Sequence, residues 1–115
     1  MMIIVVDLDG TICEEKPKGT PYSAYADVKP KRKMIEKLKM YHDNGHHIII
    51  HTARHMVSTN GDLNLIEERV GDITRDWLKK YKVPYDELIF GKPYGDMYID
   101  DKTMEIDQFL LEEML

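Results

Sequence analysis

Ile3-Ile4-Val5-Val6-Asp7-Leu8-Asp9-Gly10-Thr11 is the stretch on which the reading of this chain turns. Four β-branched residues in a row are strand material, and a run without alternation predicts a central parallel strand buried on both faces. The run ends in two carboxylates one residue apart, then a glycine. A core strand gains nothing from such an ending. The carboxyl end of a strand in an open α/β sheet, however, is where ligands are bound. Met97-Tyr98-Ile99-Asp100-Asp101 repeats the pattern. Four carboxylates at two expected strand ends point to a divalent cation and phosphate-transfer chemistry.

Between these stretches the chain alternates. Residues 12–29 hold Pro17, Gly19 and Pro21 and read as a long loop or short hairpin over the site. Pro30 suits the first turn of a helix running to about Asn44, with Met34, Ile35, Leu38 and Tyr41 on its apolar face. A second strand is expected over Ile48–Ile50, starting as early as His46, and it leads into His51-Thr52-Ala53-Arg54. A helix follows from about Asp62 to Tyr81, its stripe drawn by Leu63, Ile66, Val70, Ile73, Trp77 and Tyr81. Gly71 lies inside it, and an interior glycine costs about 1 kcal/mol relative to alanine, which leaves room for a break near Gly71-Asp72. Glu87–Phe90 and Met97–Ile99 should be the third and fourth strands, and a closing helix should carry Ile106, Phe109 or Leu110, and Met114. The order β-α-β-α-β-β-α predicts one domain over residues 1–115: an open, Rossmann-like parallel α/β sheet with helices on both faces and right-handed crossovers.

Composition sets bounds. A chain of 115 residues, 43% hydrophobic and 32% charged, can build a core without staples. Cys13 is the single cysteine, which rules out an intrachain disulfide. No apolar run approaches the roughly 20 residues of a membrane span, and the start lacks a signal-peptide pattern, so a cytoplasmic location is expected. The net charge of −5 gives no general pull on nucleic acid. It does not exclude a phosphorylated or nucleic-acid substrate, because a bound cation would quench part of the acidity.

The candidate site residues follow from charge logic. Asp7 and Asp9 repel each other unless a cation or shared proton intervenes. A magnesium ion accepts carboxylates, a backbone carbonyl and waters, and bridges to phosphate. Thr52, at the end of the second strand, could hold a phosphoryl oxygen. Lys92 could supply counter-charge. The histidines at 42, 46, 47, 51 and 55 have spacings unlike a compact zinc site.

In four stretches the chain closely resembles the haloacid-dehalogenase-like (HAD) superfamily of phosphohydrolases: Asp7-Leu8-Asp9-Gly10-Thr11, Ile48-Ile49-Ile50-His51-Thr52, Lys92, and Ile99-Asp100-Asp101. The resemblance implies that Asp7 is the nucleophile of an aspartyl-phosphate mechanism and Asp9 the general acid–base. It implies that Thr52 and Lys92 hold the phosphoryl group beside Gly10 and Thr11. It assigns Mg²⁺ to Asp7, the Asp9 carbonyl and Asp100, with Asp101 assisting. Asp100 stands eight positions after Lys92, too close for the helix many relatives place there, and no segment is long enough for a cap domain. The chain is similar to small capless phosphatases, among them capsule-biosynthesis phosphatases and the 3′-phosphatase domain of polynucleotide kinases. Arg54 and Thr74-Arg75-Asp76-Trp77-Leu78 are like features of the latter.

The resulting expectation is a Mg²⁺-dependent phosphomonoesterase with minimal or no cap. The alternatives are a phosphotransferase or mutase, and a non-catalytic phosphate-ligand-binding protein. Its partner would be a sugar phosphate, a nucleotide or a 3′-phosphorylated nucleic acid end. Arg54 is the expected second anionic contact, with His51, His55, Tyr22 and Tyr25 as further specificity candidates. An uncovered sheet edge or the last helix could support a homodimer.

Overall fold

The fold comes from a computed structural model, which describes residues 1–113. Met114, expected in the closing helix, lies outside the described residues. Three parallel strands form the sheet: β1 (Ile3–Asp7), β2 (His47–Thr52) and β3 (Glu87–Phe90), in the order β1-β2-β3. Helices α1 (Arg32–Asp43), α2 (Leu63–Ile66), α3 (Asp72–Lys80) and α4 (Ile106–Leu111) flank it, and the sheet is open and uncapped. The architecture is the expected Rossmann-like one.

The register explains where the core sits. β1 pairs with β2 from Ile3 opposite His47 to Asp7 opposite His51. Val6, Ile48 and Ile50 are buried and join Met34, Ile35 and Leu38 of α1 and Trp77 and Leu78 of α3 in one core. All four residues expected on the apolar face of α1 are buried. Asn44 and Gly45 end that helix, Gly45 at φ +88°, where a side chain is rarely tolerated.

Three expectations change. First, β1 is an edge strand, not a central one. Ile3 is 64% and Val5 61% exposed, so the strand is buried on one face only. Second, the expected fourth strand is not formed: residues 91–100 have no strand structure, and Met97 (77%) and Ile99 (91%) face solvent. Third, the helix expected over 62–81 is not α-helical throughout. It passes through a π-turn, Glu67–Gly71, into α3. A π-turn inserts one residue and rotates everything after it. The stripe after Val70 is therefore Thr74, Trp77 and Leu78, while Ile73 and Tyr81 are only partly buried and Leu63 is exposed. A Cβ at Gly71 would lie 2.6 Å from a Glu67 carboxylate oxygen, the far end of a half-exposed side chain that is free to move aside.

The expected 12–29 loop contains a 3-10 helix, Tyr22–Asp27, which packs on α3. Its two ends are clamped together, Glu14 N–H donating to the Lys29 carbonyl at 2.9 Å and Lys31 N–H to that of Ile12 at 2.8 Å. The indole N–H of Trp77 donates to the Val28 carbonyl at 2.9 Å, which fixes the loop over α3.

Candidate active site

The turn after β1 separates the two aspartates. Ile12 N–H donates to the Leu8 carbonyl at 2.8 Å and Gly10 N–H to that of Cys13 at 2.7 Å, with Gly10 at φ +86°. Asp7 still follows the strand, on the side of Ile3 and Val5, whereas Asp9 lies beyond the strand end and turns inward. Their partners consequently differ.

Asp7 faces the open side. Its Oδ1 is 3.3 Å from Lys92 Nζ, and its Oδ2 accepts a long 3.5 Å bond from the Thr11 hydroxyl. Lys92 is placed by its backbone, whose N–H donates to the Thr52 carbonyl at 3.1 Å, and its ammonium lies 4.1 Å from the centre of the Tyr98 ring. His51 is the residue opposite Asp7 on β2. Partial burial, and then the Lys92 charge, lower its pKa below the usual imidazole value.

Asp9 faces the interior. The Arg54 guanidinium donates through Nε to both carboxylate oxygens at 3.0 Å, and Thr52 Oγ1 donates to Oδ2 at 3.2 Å. Arg54 is 2% exposed and has no free side. Its Nη1 donates to Thr74 Oγ1 at 3.0 Å, its Nη2 approaches Cys13 Sγ at 3.6 Å, and Tyr25 stacks on it with Cζ 4.5 Å from the ring centre. Burial raises the Asp9 pKa above the usual carboxylate value, opposed chiefly by the Arg54 charge. Burial also drives the Cys13 thiol up to about 12, and the Asp9 charge adds to that. A group held that far into the neutral range is a packing residue and not a nucleophile.

The site residues therefore fall into two groups. Asp7, Lys92 and Thr11 come together at the open end of the sheet. Asp9, Thr52 and Arg54 come together beneath it, with Thr52 fully buried and its hydroxyl committed to Asp9. Arg54, expected as a second anionic contact, is buried and holds the Asp9 carboxylate. Thr74 and Cys13 were not foreseen in this cluster. The signal for Thr74 lay in its place beside Trp77, but the π-turn that aims it inward has no sequence signature.

Asp100 and Asp101 do not join either group. Both are exposed, and the bonds of Asp100 among the described residues are local: it accepts from Lys102 N–H at 2.8 Å and, through its carbonyl, from Thr103, and it pairs with the Asp101 side chain. The Asp7 carboxylate is chemically suited to a hard cation. Yet among the described residues no three His, Cys, Asp or Glu side chains lie together to hold one. The expected metal set of Asp7, Asp9, Asp100 and Asp101 is not assembled within one chain, because the strand meant to carry the last two is absent.

Comparison with known proteins agrees with the fold and the strand-end motif. The family model described as polynucleotide kinase PNKP phosphatase domain matches residues 1–109. The chain belongs to that family, and with it to the HAD phosphohydrolases; by class it is a phosphatase. A crystal structure of a protein from Vibrio cholerae is 35% identical, superposes with a TM-score of 0.88, and is matched over 98% of this chain and 90% of its own. A Pnkp1/Rnl/Hen1 complex (24% identity, TM-score 0.58, 87% of this chain) shares the fold. So does a magnesium- and phosphate-bound D,D-heptose 1,7-bisphosphate phosphatase from B. bronchiseptica (16%, 0.53, 90%). This chain spans 30% and 54% of those two chains. No curated protein matches it. Among the described residues no helix is long and apolar enough to cross a membrane.

Proposed function

We propose that this protein hydrolyses phosphomonoesters by way of an aspartyl-phosphate on Asp7. One observation carries the reading: a carboxylate at the carboxyl end of β1 faces an open surface with a lysine ammonium 3.3 Å away. In the first step Asp7 Oδ attacks phosphorus and the bond to the leaving oxygen breaks, with Asp9 giving that oxygen a proton. In the second, water attacks the same phosphorus, Asp9 takes its proton, and the bond to Asp7 breaks. Lys92 offsets the charge of the transferring group. Burial raises the Asp9 pKa above the usual carboxylate value, which is the direction a general acid needs. Asp9 must then rotate away from Arg54 to work, so that the pair with Arg54 is its resting position.

Mg²⁺ is the cation the family resemblance implies, and Asp7 would be its first ligand. The open site suits a phosphate on a large molecule. The family match favours a 3′-phosphorylated nucleic acid end over a sugar phosphate or free nucleotide. A cytoplasmic location fits a buried, reduced Cys13.

The test is phosphate release from p-nitrophenyl phosphate and from a phosphomonoester panel that includes an oligonucleotide with a 3′-phosphate. Turnover should need Mg²⁺, stop with EDTA, and be fastest on the oligonucleotide. Asp7→Asn should abolish it with an unchanged melting temperature. Near-normal turnover by that variant would remove the nucleophile assignment.

A further inference from the structure

We infer that the active site is completed by a second copy of this chain, whose residues 97–101 add to the free edge of β1 as a fourth parallel strand. The inference rests on the phosphatase reading for what the added aspartates do, and on geometry alone for where they go.

The edge itself asks for a partner. β1 lies at the end of the sheet, and both Ile3 and Val5 are more than half exposed. Soluble proteins usually blunt such edges with charge, proline or a covering element, and an apolar open edge is a template for another strand. A matching strand exists in the same chain. Met97-Tyr98-Ile99-Asp100-Asp101 has the five-residue length of β1 and the same order, apolar then acidic. It is exposed throughout and carries no regular structure. Laid parallel to β1, it would set Met97 and Ile99 beside exposed apolar residues and bring Asp100 and Asp101 to the level of Asp7.

The chain cannot make that pairing with itself. Parallel neighbours need a crossover of about a dozen residues or more. Only residues 91–96 separate β3 from Met97. Lys92 is fixed beside the end of β2 by its bond to Thr52. From there, Met97 would have to travel about 14 Å across the sheet, three strand spacings, and about 16 Å down to the foot of β1, roughly 21 Å in all. Five residues fully stretched reach at most about 18 Å, and a straight path would cut through the sheet. The segment is also folded back on itself: the Tyr98 hydroxyl donates to the Pro93 carbonyl at 2.7 Å and accepts from Gly95 N–H at 2.9 Å. An antiparallel pairing within one chain is within reach, but it would leave both aspartates at the wrong end of β1.

A second copy has no such limit. Residues 93–105 form an arm tethered at both ends, at Lys92 and at α4, whose Phe109 stacks on Tyr41 of α1 with ring centres 5.1 Å apart. Two copies related by a two-fold axis could exchange these arms, each supplying Asp100 and Asp101 to the other's Asp7. The missing fourth strand, the open edge and the unassembled acidic set then have one cause.

The Val5→Cys/Ile99→Cys double variant tests this directly, since Cys13 is buried and out of reach of oxidant. Oxidised and run without reductant, it should migrate as a covalent dimer, and the wild type should have twice the 13.5 kDa chain mass by light scattering. A monomeric product, internally cross-linked or uncross-linked, overturns the exchange. Asp7→Asn and Asp100→Asn chains, co-refolded, should recover roughly a quarter of wild-type turnover, because half the dimers are mixed and each holds one intact site. No recovery from two inactive parents overturns it as well. If the wild type itself releases no phosphate, the phosphatase reading fails while the cross-link and the mass still decide the exchange.

Discussion

The two halves of the site are built to opposite standards. Around Asp9 every polar group is spoken for: Arg54 meets a carboxylate, a hydroxyl, a thiol and an aromatic face, and of these only Asp9 and Tyr25 are partly open to solvent. Around Asp7 there is one ammonium, one long hydroxyl contact and open space. The buried half is set by folding, because an unpaired charge there is costly. The open half costs little to leave unfinished and can be finished by a substrate, a cation or another chain. Replacing residues in each half should therefore give different kinds of damage.

The largest effect is expected at Arg54. Arg54→Ala leaves the Asp9 carboxylate and the Thr74 hydroxyl buried without their partner, and should cost about 3–5 kcal/mol in urea unfolding. Arg54→Lys should recover little of it, because an ammonium cannot span Asp9, Thr74 and Cys13 at once. A loss below 1 kcal/mol would mean the buried half is not preorganised.

Lys92→Met should show the reverse. Its pair with Asp7 is partly exposed, so stability should change by less than about 1 kcal/mol. Phosphate release should fall by about 100-fold or more, the usual effect of losing a group that neutralises a transition state. Equal damage to stability and turnover would erase the distinction between the halves.

Thr74→Val isolates a single bond in the buried half. Losing the hydroxyl that Arg54 Nη1 donates to should cost about 1.5–3 kcal/mol, at nearly constant volume. The loss should vanish in an Arg54→Ala background, where the bond no longer exists.

How much of this was readable depended on whether the decisive interaction was local. Asp7 through Thr11 declared itself because strand, paired acids and glycine are all encoded within nine residues. The apolar face of α1 was equally plain from its spacing. Arg54 could be assigned to the site but not to its role, since its Nη1 is held by Thr74, and Thr74 follows a π-turn that the spacing of apolar residues does not announce. Met97–Ile99 was read as a strand because its residues favour one. Pairing, however, is not local: it needs an edge within reach, and the short connection after β3 denies it one. The six residues 91–96 are too few for a crossover helix, and the same shortness keeps the strand from its edge.

The smallest effect probes the open half without any turnover. In the metal-free protein His51 stands across from Asp7, and burial first, then the Lys92 charge, lower its pKa below 6.5, with Asp7 pulling the other way. In Lys92→Met the value should move back up toward 6.5, read from the His51 ring protons by NMR titration in EDTA. The sign carries over to stability. An imidazole whose pKa is lowered by folding takes up its proton more readily when unfolded, so the wild type should lose stability as pH falls from 6.5 through the folded value. His51→Gln should flatten that slope, and Lys92→Met should shallow it. A His51 titration indifferent to residue 92 would mean that the ammonium is not held over Asp7 in solution, and the open half would then lack even its one fixed charge.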